Sequence, residues 1–254
     1  MRTDVIINPA YLNLSEYIKS IPDIFQSLRC EHVMHEGRNI IKWVEVDGVK
    51  LVIKKYDRIS MLNRFVYGRI RCSKAVRSYR NAMNLQKLNI DTPHQVAAID
   101  VYNGCYLISS FYISLYSDYS SFDTDCIVIN NEDTITLLDS LADFLVFIHD
   151  RGIEHNDLNI TNILYKRSGG SFRFQLIDIN RVRFHHNMST HRRMKNLRRL
   201  SLNYTSYMYI MERYAERVKL KGESFELHCA AERMIFEHRQ RLKSKIKSSV
   251  HKHN

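Results

Sequence analysis

The sequence predicts an α+β chain in two lobes, the first rich in strands and the second in helices. Three observations carry that prediction. Two pairs of β-rich runs in the first half flank Asp47-Gly48 and Asn103-Gly104, and such dipeptides accept the positive φ of a tight hairpin. A single helical pattern, Ser73 to Leu88, interrupts these strands. From Thr134 onward, apolar residues recur mainly at helical spacing. The change of pattern puts the boundary near Ser109 to Ile113, giving an N-terminal lobe of residues 1–110 and a C-terminal lobe of residues 111–254.

Taken in order, Asn39 to Val46 and Leu51 to Tyr56 read as the strands of the first hairpin. In the helix, Ala75, Val76, Tyr79, Ala82 and Met83 share one face, and Ser73 stands where an N-cap belongs. Thr92-Pro93 closes that unit. HQVAAIDVY and CYLISSFYI then form the second hairpin. Thr134 to Asp150 carries Leu137, Leu138, Leu141, Phe144, Leu145 and Ile148 as a core-facing stripe. Asn131 or Asp133 is placed to cap its start, and Gly152 to end it in the left-handed region. Two short strands, NILYK and FRFQLID, flank Ser168-Gly169-Gly170, and much of Thr190 to Lys247 reads as basic helix.

Composition narrows the function classes. Apolar residues make up 44% of 254, enough for a sizeable core, and only 8 Gly and 3 Pro are present, too few for long flexible linkers. The formal charge of +11 favours an anionic partner. No nucleic-acid-binding motif accompanies it, so nucleic acid is not expected. Cys30, Cys72, Cys105, Cys126 and Cys229 are scattered and form no CxxC pair, which reads as reduced thiols rather than a zinc site. The N-terminus lacks the pattern of a signal peptide, and no apolar run approaches the ~20 residues needed to span a bilayer. The expectation is a cytoplasmic protein, attached at most to a membrane surface.

The chemistry is concentrated in two stretches. IEHNDLNITNILY, Ile153 to Tyr165, places His155, Asp157 and Asn162 among apolar residues, and FQLIDINR sets Asp178 between two isoleucines. Polar groups on apolar, strand-like segments are costly unless they bind something. Asp157 and Asn162 are five apart, just after a helix and before a strand. Three oxygen-bearing side chains on such a hairpin suit Mg²⁺, which takes few protein ligands and completes its shell with water and phosphate oxygens. Alternatively, Asp157 orients a substrate hydroxyl as base and leaves Asn162 and Asp178 for the metal. The plain reading is a solvated loop with incidental Asx residues.

His155-Asn156-Asp157-Leu158-Asn159-Ile160-Thr161-Asn162 resembles the catalytic loop of protein-kinase-like enzymes. Asp178-Ile179-Asn180 resembles their metal-binding Asp-Phe-Gly element, with Asn180 in place of Gly. Lys54, in LVIK, is similar to the strand-three lysine that holds ATP phosphates. The wording of HNDLNITNILY, LIDINR and SKAVRSYRNAMNL most resembles the lipopolysaccharide core kinases, which phosphorylate heptose or Kdo sugars. That resemblance implies a two-lobed protein-kinase-like fold and transfer of the ATP γ-phosphoryl group to a sugar hydroxyl. Asp157 would be the base, Asn162 and Asp178 the Mg²⁺ ligands, Lys54 the contact to the α/β-phosphates, and Gly37 part of the loop covering them. The implied partner is the lipopolysaccharide core or a related anionic glycolipid, at the inner face of the inner membrane. Another small-molecule or protein kinase of the same fold, or a nucleotide-binding pseudokinase, stands as the alternative.

The pattern also departs from protein kinases. Their strand-three lysine pairs with a Glu on the next helix, but between Lys54 and Asp100 the only acidic residues are Asp57 and Asp91, and Arg80 stands near the expected Glu position. Lys54 would then pair with Asp178 or with nucleotide phosphates, or be a surface lysine on an edge strand. Asn156 replaces the Arg of His-Arg-Asp, and little room follows Asp178 for a long activation loop, which favours a small acceptor. His191 to Arg199 contains Arg192, Arg193, Lys195, Arg198 and Arg199, with Met194 and Leu197 interleaved. This segment reads either as a binder of glycolipid phosphates at a membrane surface or as a solvated basic face. RLKSKIKSSVHKH, near the C-terminus, carries the same two readings.

Overall fold

The computed structural model describes residues 1–28, 33–35, 40–56, 71–122, 127, 129, 131–219 and 224–251. The chain gathers into two compact units, Met1–Asp118 with Leu176–Arg181, and Tyr119–Gln175 with Val182–Asn254. The predicted boundary stretch, Ser109 to Ile113, lies inside a strand of the first unit.

The first unit is built on a six-stranded antiparallel sheet. Its strands are β1 (Arg2–Ile7), β2 (Val33–His35), β3 (Ile40–Val46), β4 (Val49–Lys55), β5 (Gln95–Asn103) and β6 (Tyr106–Leu115), in the order β1-β5-β6-β4-β3-β2. Both hairpins form where the turn dipeptides predict them. Asp47 and Gly48 take φ of 50° and 75°, the pair of left-handed residues that a two-residue turn needs to match strand twist. Strand β4 runs between β3 and β6, with Lys54 opposite Ile41 on one side and Tyr112 on the other. Lys54 is therefore on an interior strand, not on an edge.

Helix α1 (Ser15–Ile24) was not foreseen, although Leu14, Ile18, Ile21 and Phe25 repeat at helical spacing. These four bury against Leu51, Ile53, Val96, Ile99, Phe111 and Ile113 to make the main core of the unit. The end of α1 leaves carbonyls without intrahelical partners. The buried Lys42 ammonium takes three of the carbonyls there, donating to Phe25 O at 2.9 Å, Gln26 O at 3.3 Å and Leu28 O at 3.0 Å. Helix α2 (Lys74–Lys87) begins at Ser73, whose Oγ accepts from Val76 N–H at 3.0 Å. Its buried face holds Ala75, Tyr79, Ala82 and Leu85. Met83, expected on that face, is exposed, because the stripe turns toward Leu85 instead.

The short stretch Leu176–Arg181 belongs to the first unit through its hydrogen bonds. Leu176 N–H donates to Asp91 O at 3.0 Å, Thr92 Oγ1 donates to Leu176 O at 2.7 Å, and Asn81 on α2 donates to Ile179 O at 2.7 Å. A single division of the chain near residue 110 would assign this stretch to the second lobe; its backbone partners draw it to the first.

The second unit is mainly helical. Helix α3 (Glu132–Asp150) starts at Asn131, whose side chain accepts from Thr134 N–H at 2.8 Å, and buries Leu138, Leu141, Leu145 and Ile148. Gly152 follows at φ 74°, and an added Cβ there would overlap the His185 carbonyl, so both conformation and space require glycine. Two small sheets come next. In one, β8 (Ile153–His155) pairs with β11 (Val182–Phe184). In the other, β7 (Ser120–Ser121), β9 (Ile163–Ser168) and β10 (Ser171–Leu176) lie in the order β10-β9-β7. Helices α4 (Thr190–Leu197), α5 (Tyr204–Val218) and α6 (Phe225–His251) complete the unit, with Tyr207 and Tyr214 of α5 fully buried. Among the described residues no helix is long and apolar enough to cross a membrane. The free cysteines described are Cys72, Cys105 and Cys229.

Candidate active site

Each unit presents one of the two polar groups singled out in the sequence. In the second unit, β8 delivers His155 fully buried and the chain then turns. Asp157 N–H donates to His155 Nδ1 at 3.2 Å. The Asp157 carbonyl accepts from Asn159 N–H at 2.7 Å and from Asn162 Nδ2 at 2.9 Å. Asn162 ends the 3₁₀ turn Ile160–Asn162, which leads directly into β9. With its Nδ2 committed to that carbonyl, the side chain of Asn162 has its oxygen left as the end able to meet a cation.

His155 is held from beneath by a buried network that sequence reasoning missed. Asn196 donates from Nδ2 to His155 O at 2.7 Å, and its Oδ1 accepts from His155 N–H at 3.3 Å. The same Oδ1 faces His149 Nε2 at 3.1 Å, and His149 Nδ1 faces the Tyr214 hydroxyl at 2.8 Å. An oxygen at Nε2 can only accept, so the proton of His149 sits on Nε2 and Tyr214 donates to Nδ1. Tyr214 in turn accepts from Arg193, at 3.0 Å, and Arg193 also donates to Asp150 at 2.8 Å. Every member is satisfied, which is the condition for a buried polar network to stabilise rather than cost. Burial lowers the His149 pKa to about 4, with the Arg193 charge adding to it against the opposing Asn196 hydrogen bond.

These contacts alter the reading of the basic segment. Arg193 serves the network, Arg198 pairs with Glu232 at 2.7 Å, Arg192 reaches Glu154 at 3.5 Å, and Arg199 lies 3.6 Å from Asp157. Four of the five cations expected to face a membrane or solvent thus have carboxylate partners within the unit; Lys195 is exposed. Arg199 is a further residue at the candidate site, beside the carboxylate that would act as base. Its only signal in the sequence was membership of a basic run.

In the first unit, Lys54 Nζ meets Asp178 Oδ1 at 2.8 Å, although the two are 124 positions apart in sequence. Asn180 Nδ2 donates to the same oxygen at 2.7 Å. Asp178 takes φ 52°, a left-handed conformation that is uncommon for a side-chain-bearing residue, though Asp and Asn adopt it more readily than most. Strained residues of this kind gather at functional sites. Asn180, standing where protein kinases have Gly, steadies this carboxylate. Its own Oδ1 is buried with no hydrogen-bond partner among the described residues.

No carboxylate on α2 takes the place of the absent Glu. Arg80 donates to Cys72 Sγ at 3.2 Å at the surface. Lys74, at the start of α2, brings a second cation instead: its Nζ and that of Lys54 lie 5.5 and 5.6 Å from the Tyr56 ring centre. Burial, then the neighbouring Arg181, lowers the Lys74 pKa, while Asp178 opposes the shift. A carboxylate amid Lys54, Lys74 and Arg181 suits a site where phosphate and metal charges are to be balanced. Gly37, expected in the phosphate-covering loop, lies outside the described residues.

Among the described residues no group of three or more His, Cys, Asp or Glu is gathered as for a transition metal. In the first unit the Asp178 carboxylate is instead an oxygen donor of the hard type that Mg²⁺ takes in small number. The orphaned Asn180 oxygen beside Asp178 is a further polar end that a hydrated cation would satisfy.

A strand-rich unit carrying a lysine–aspartate pair, and a helical unit carrying a His-x-Asp turn with Asn five residues later, define a protein of the protein-kinase-like class. The comparison with solved structures agrees on the fold: a structure described as WaaP in complex with acyl carrier protein matches with a TM-score of 0.61 and 18% identity, over 94% of this chain and 99% of that one. No curated protein matches the chain in sequence. The family model of the lipopolysaccharide kinase (Kdo/WaaP) family matches residues 28–219, and the chain belongs to that family. It is accordingly a kinase, a phosphotransferase that uses ATP and acts on a sugar hydroxyl of the lipopolysaccharide core.

Proposed function

We propose that Asp157 acts as the base for the acceptor hydroxyl, that Asn162 and Asp178 hold Mg²⁺, and that Lys54 contacts the α/β-phosphates of ATP. The observation that carries this reading is the 2.8 Å contact between Lys54 and Asp178, which supplies the lysine's missing counter-ion from the metal-binding element itself. The metal those residues would hold would supply positive charge against the phosphates. The residues then contribute position and charge. Asp157 orients the attacking oxygen and receives its proton, and its carboxylate is held in place by Arg199. With Asp178 given to the metal, Lys54 would be free to meet phosphate in place of that carboxylate. Gly37 is assigned to the phosphate-covering loop. The unit Met1–Asp118 with Leu176–Arg181 serves as the nucleotide-covering lobe, in place of residues 1–110, and the remainder as the acceptor lobe, in place of residues 111–254. The acceptor is a heptose or Kdo residue of the inner core, reached from the cytoplasmic face of the inner membrane.

The test is transfer of labelled phosphate from Mg·ATP to lipopolysaccharide lacking core phosphate. Wild type is expected to transfer, and Asp157→Ala to lose about 10³-fold in rate, within the range of general-base catalysis. Mass spectrometry of the released core then identifies the sugar. Equal transfer by Asp157→Ala and wild type would remove Asp157 from the chemistry. Nucleotide binding with no transfer to any core acceptor would point to a different acceptor class.

A further inference from the structure

Helix α6 carries, along most of its length, a surface that the site does not use. Leu227, Met234, Ile235, Leu242 and Ile246 are 66, 65, 47, 46 and 65% exposed. They follow one another at steps of seven, one, seven and four residues, so they share one side of a helix about 40 Å long. Isolated exposed apolar residues are ordinary, but a row of five along one helix face is not. Around it the charge is one-sided. Between Phe225 and Glu237 the helix holds Glu226, Glu232 and Glu237; from His238 onward it contains no acidic residue, whereas Arg239, Arg241, Lys243 and Lys245 are all exposed. Arg241 still reaches Glu237, at 3.8 Å.

We infer that this face of α6 seats the enzyme on an anionic lipid surface, lying in the plane of the headgroups. Apolar side chains on one side, flanked by lysine and arginine, are what an interfacial helix needs: the former enter the headgroup–acyl boundary and the latter meet lipid phosphates. The helix is too polar to cross a bilayer. In α4 and the residues after it the arginines reach Glu154, Asp157 and Glu232, while Arg239, Arg241, Lys243 and Lys245 of α6 are exposed. Choosing lipid as the occupant rests on the reading that the acceptor is an anionic glycolipid of a membrane, which a kinase on the surface would meet without leaving it.

The full chain is mixed with phosphatidylcholine vesicles, with and without phosphatidylglycerol, and sedimented. Wild type is expected to sediment with the anionic vesicles, less so as salt rises. Lys243→Glu/Lys245→Glu should weaken that binding roughly tenfold or more, and Leu242→Ser/Ile246→Ser should also release it. These side chains are exposed, so both variants should keep the wild-type melting temperature, and both should still phosphorylate a soluble, deacylated core oligosaccharide. Vesicle binding that either variant retains in full, or that wild type lacks, overturns the inference. So does a wild-type dimer, or a complex with an acyl carrier protein, that Leu242→Ser/Ile246→Ser dissolves while vesicles are ignored. Failure to phosphorylate any core acceptor, with vesicle binding intact and lost in the variants, would strike the acceptor assignment and leave the surface standing.

Discussion

The two polar groups of this kinase are held by opposite means. The His155–Asp157–Asn162 turn rests on a buried hydrogen-bonded network of Asn196, His149 and Tyr214, closed by Arg193 and Asp150, whose partners are all satisfied. The Lys54–Asp178 group is a single pair of opposite charges, side chains 15 and 28% exposed, at a backbone position of positive φ. A group that must keep its geometry through the reaction is tied into the core. On the roles proposed above, the Lys54–Asp178 pair would exchange partners with metal and phosphate, and its contact is one that other charges can replace. Loss of stability and loss of activity should therefore separate between the two.

The largest expected effect is on chemistry with the fold spared. Asp178→Asn removes the charge of the proposed metal ligand but keeps an oxygen for Lys54, so phosphate transfer should fall by about 10³-fold, as when a principal electrostatic contact is lost. The partly exposed ion pair contributes roughly 1 kcal/mol or less, so the melting temperature should move by no more than about 4 °C. A collapse in stability would break the comparison. Asn196→Ala should do the reverse: it leaves His155 N–H, His155 C=O and His149 Nε2–H without their partner, and chemical denaturation should report a loss of about 3 kcal/mol. Unchanged stability would show that the network does not support the turn.

Acid supplies a third test. His149 titrates at about 4 in the folded chain against about 6.5 when unfolded. Above pH 6.5 neither state binds the proton. Between 6.5 and 4 only the unfolded state does, so stability falls as pH falls, by roughly 3 kcal/mol in all. His149→Gln should flatten that part of the wild-type stability curve, and an unaltered slope would place the acid sensitivity elsewhere. The smallest effect belongs to Asn180→Gly. Loss of its 2.7 Å bond to Asp178 should raise the KM for ATP several-fold at nearly constant kcat, since a hydrogen bond to a charged group is worth about 2 kcal/mol at most here. A change in kcat alone would give Asn180 a part in the chemistry.

Much of this was legible in advance for local reasons. The hairpins at Asp47-Gly48 and Asn103-Gly104, the caps at Ser73 and Asn131, and the left-handed Gly152 are each dictated by a few adjacent residues. Asp157, Asn162 and Asp178 stood out because their spacing is local too. Lys54 and Asp178 were one of several pairings open, and only the fold brings them within 2.8 Å. What stayed hidden depends on residues far apart. His149 looked like one polar position in an apolar stripe, and Asn196 like one more polar residue in a basic run, until the fold brought these residues, 47 positions apart, within 3.1 Å of each other. Lys42 capping the end of α1 is another such case. Helix α1 itself had the right apolar period, but its short stripe and internal Pro22 made a weak signal.

The fastening of Leu176–Arg181 to Asp91, Thr92 and Asn81 has a consequence for how such a gene can be divided. The chain enters the second unit after Asp118, returns to the first for six residues, and leaves it again at Arg181. No single crossover between two relatives can exchange one unit whole. A hybrid joined at residue 118 would combine the Lys54 of one parent with the Asp178 of the other, and inherit a mismatch at Asn81 and Thr92 as well. Recombination that respects the unit needs three junctions, so these few residues should travel through descent with the sheet they are bonded to rather than with their neighbours in the chain.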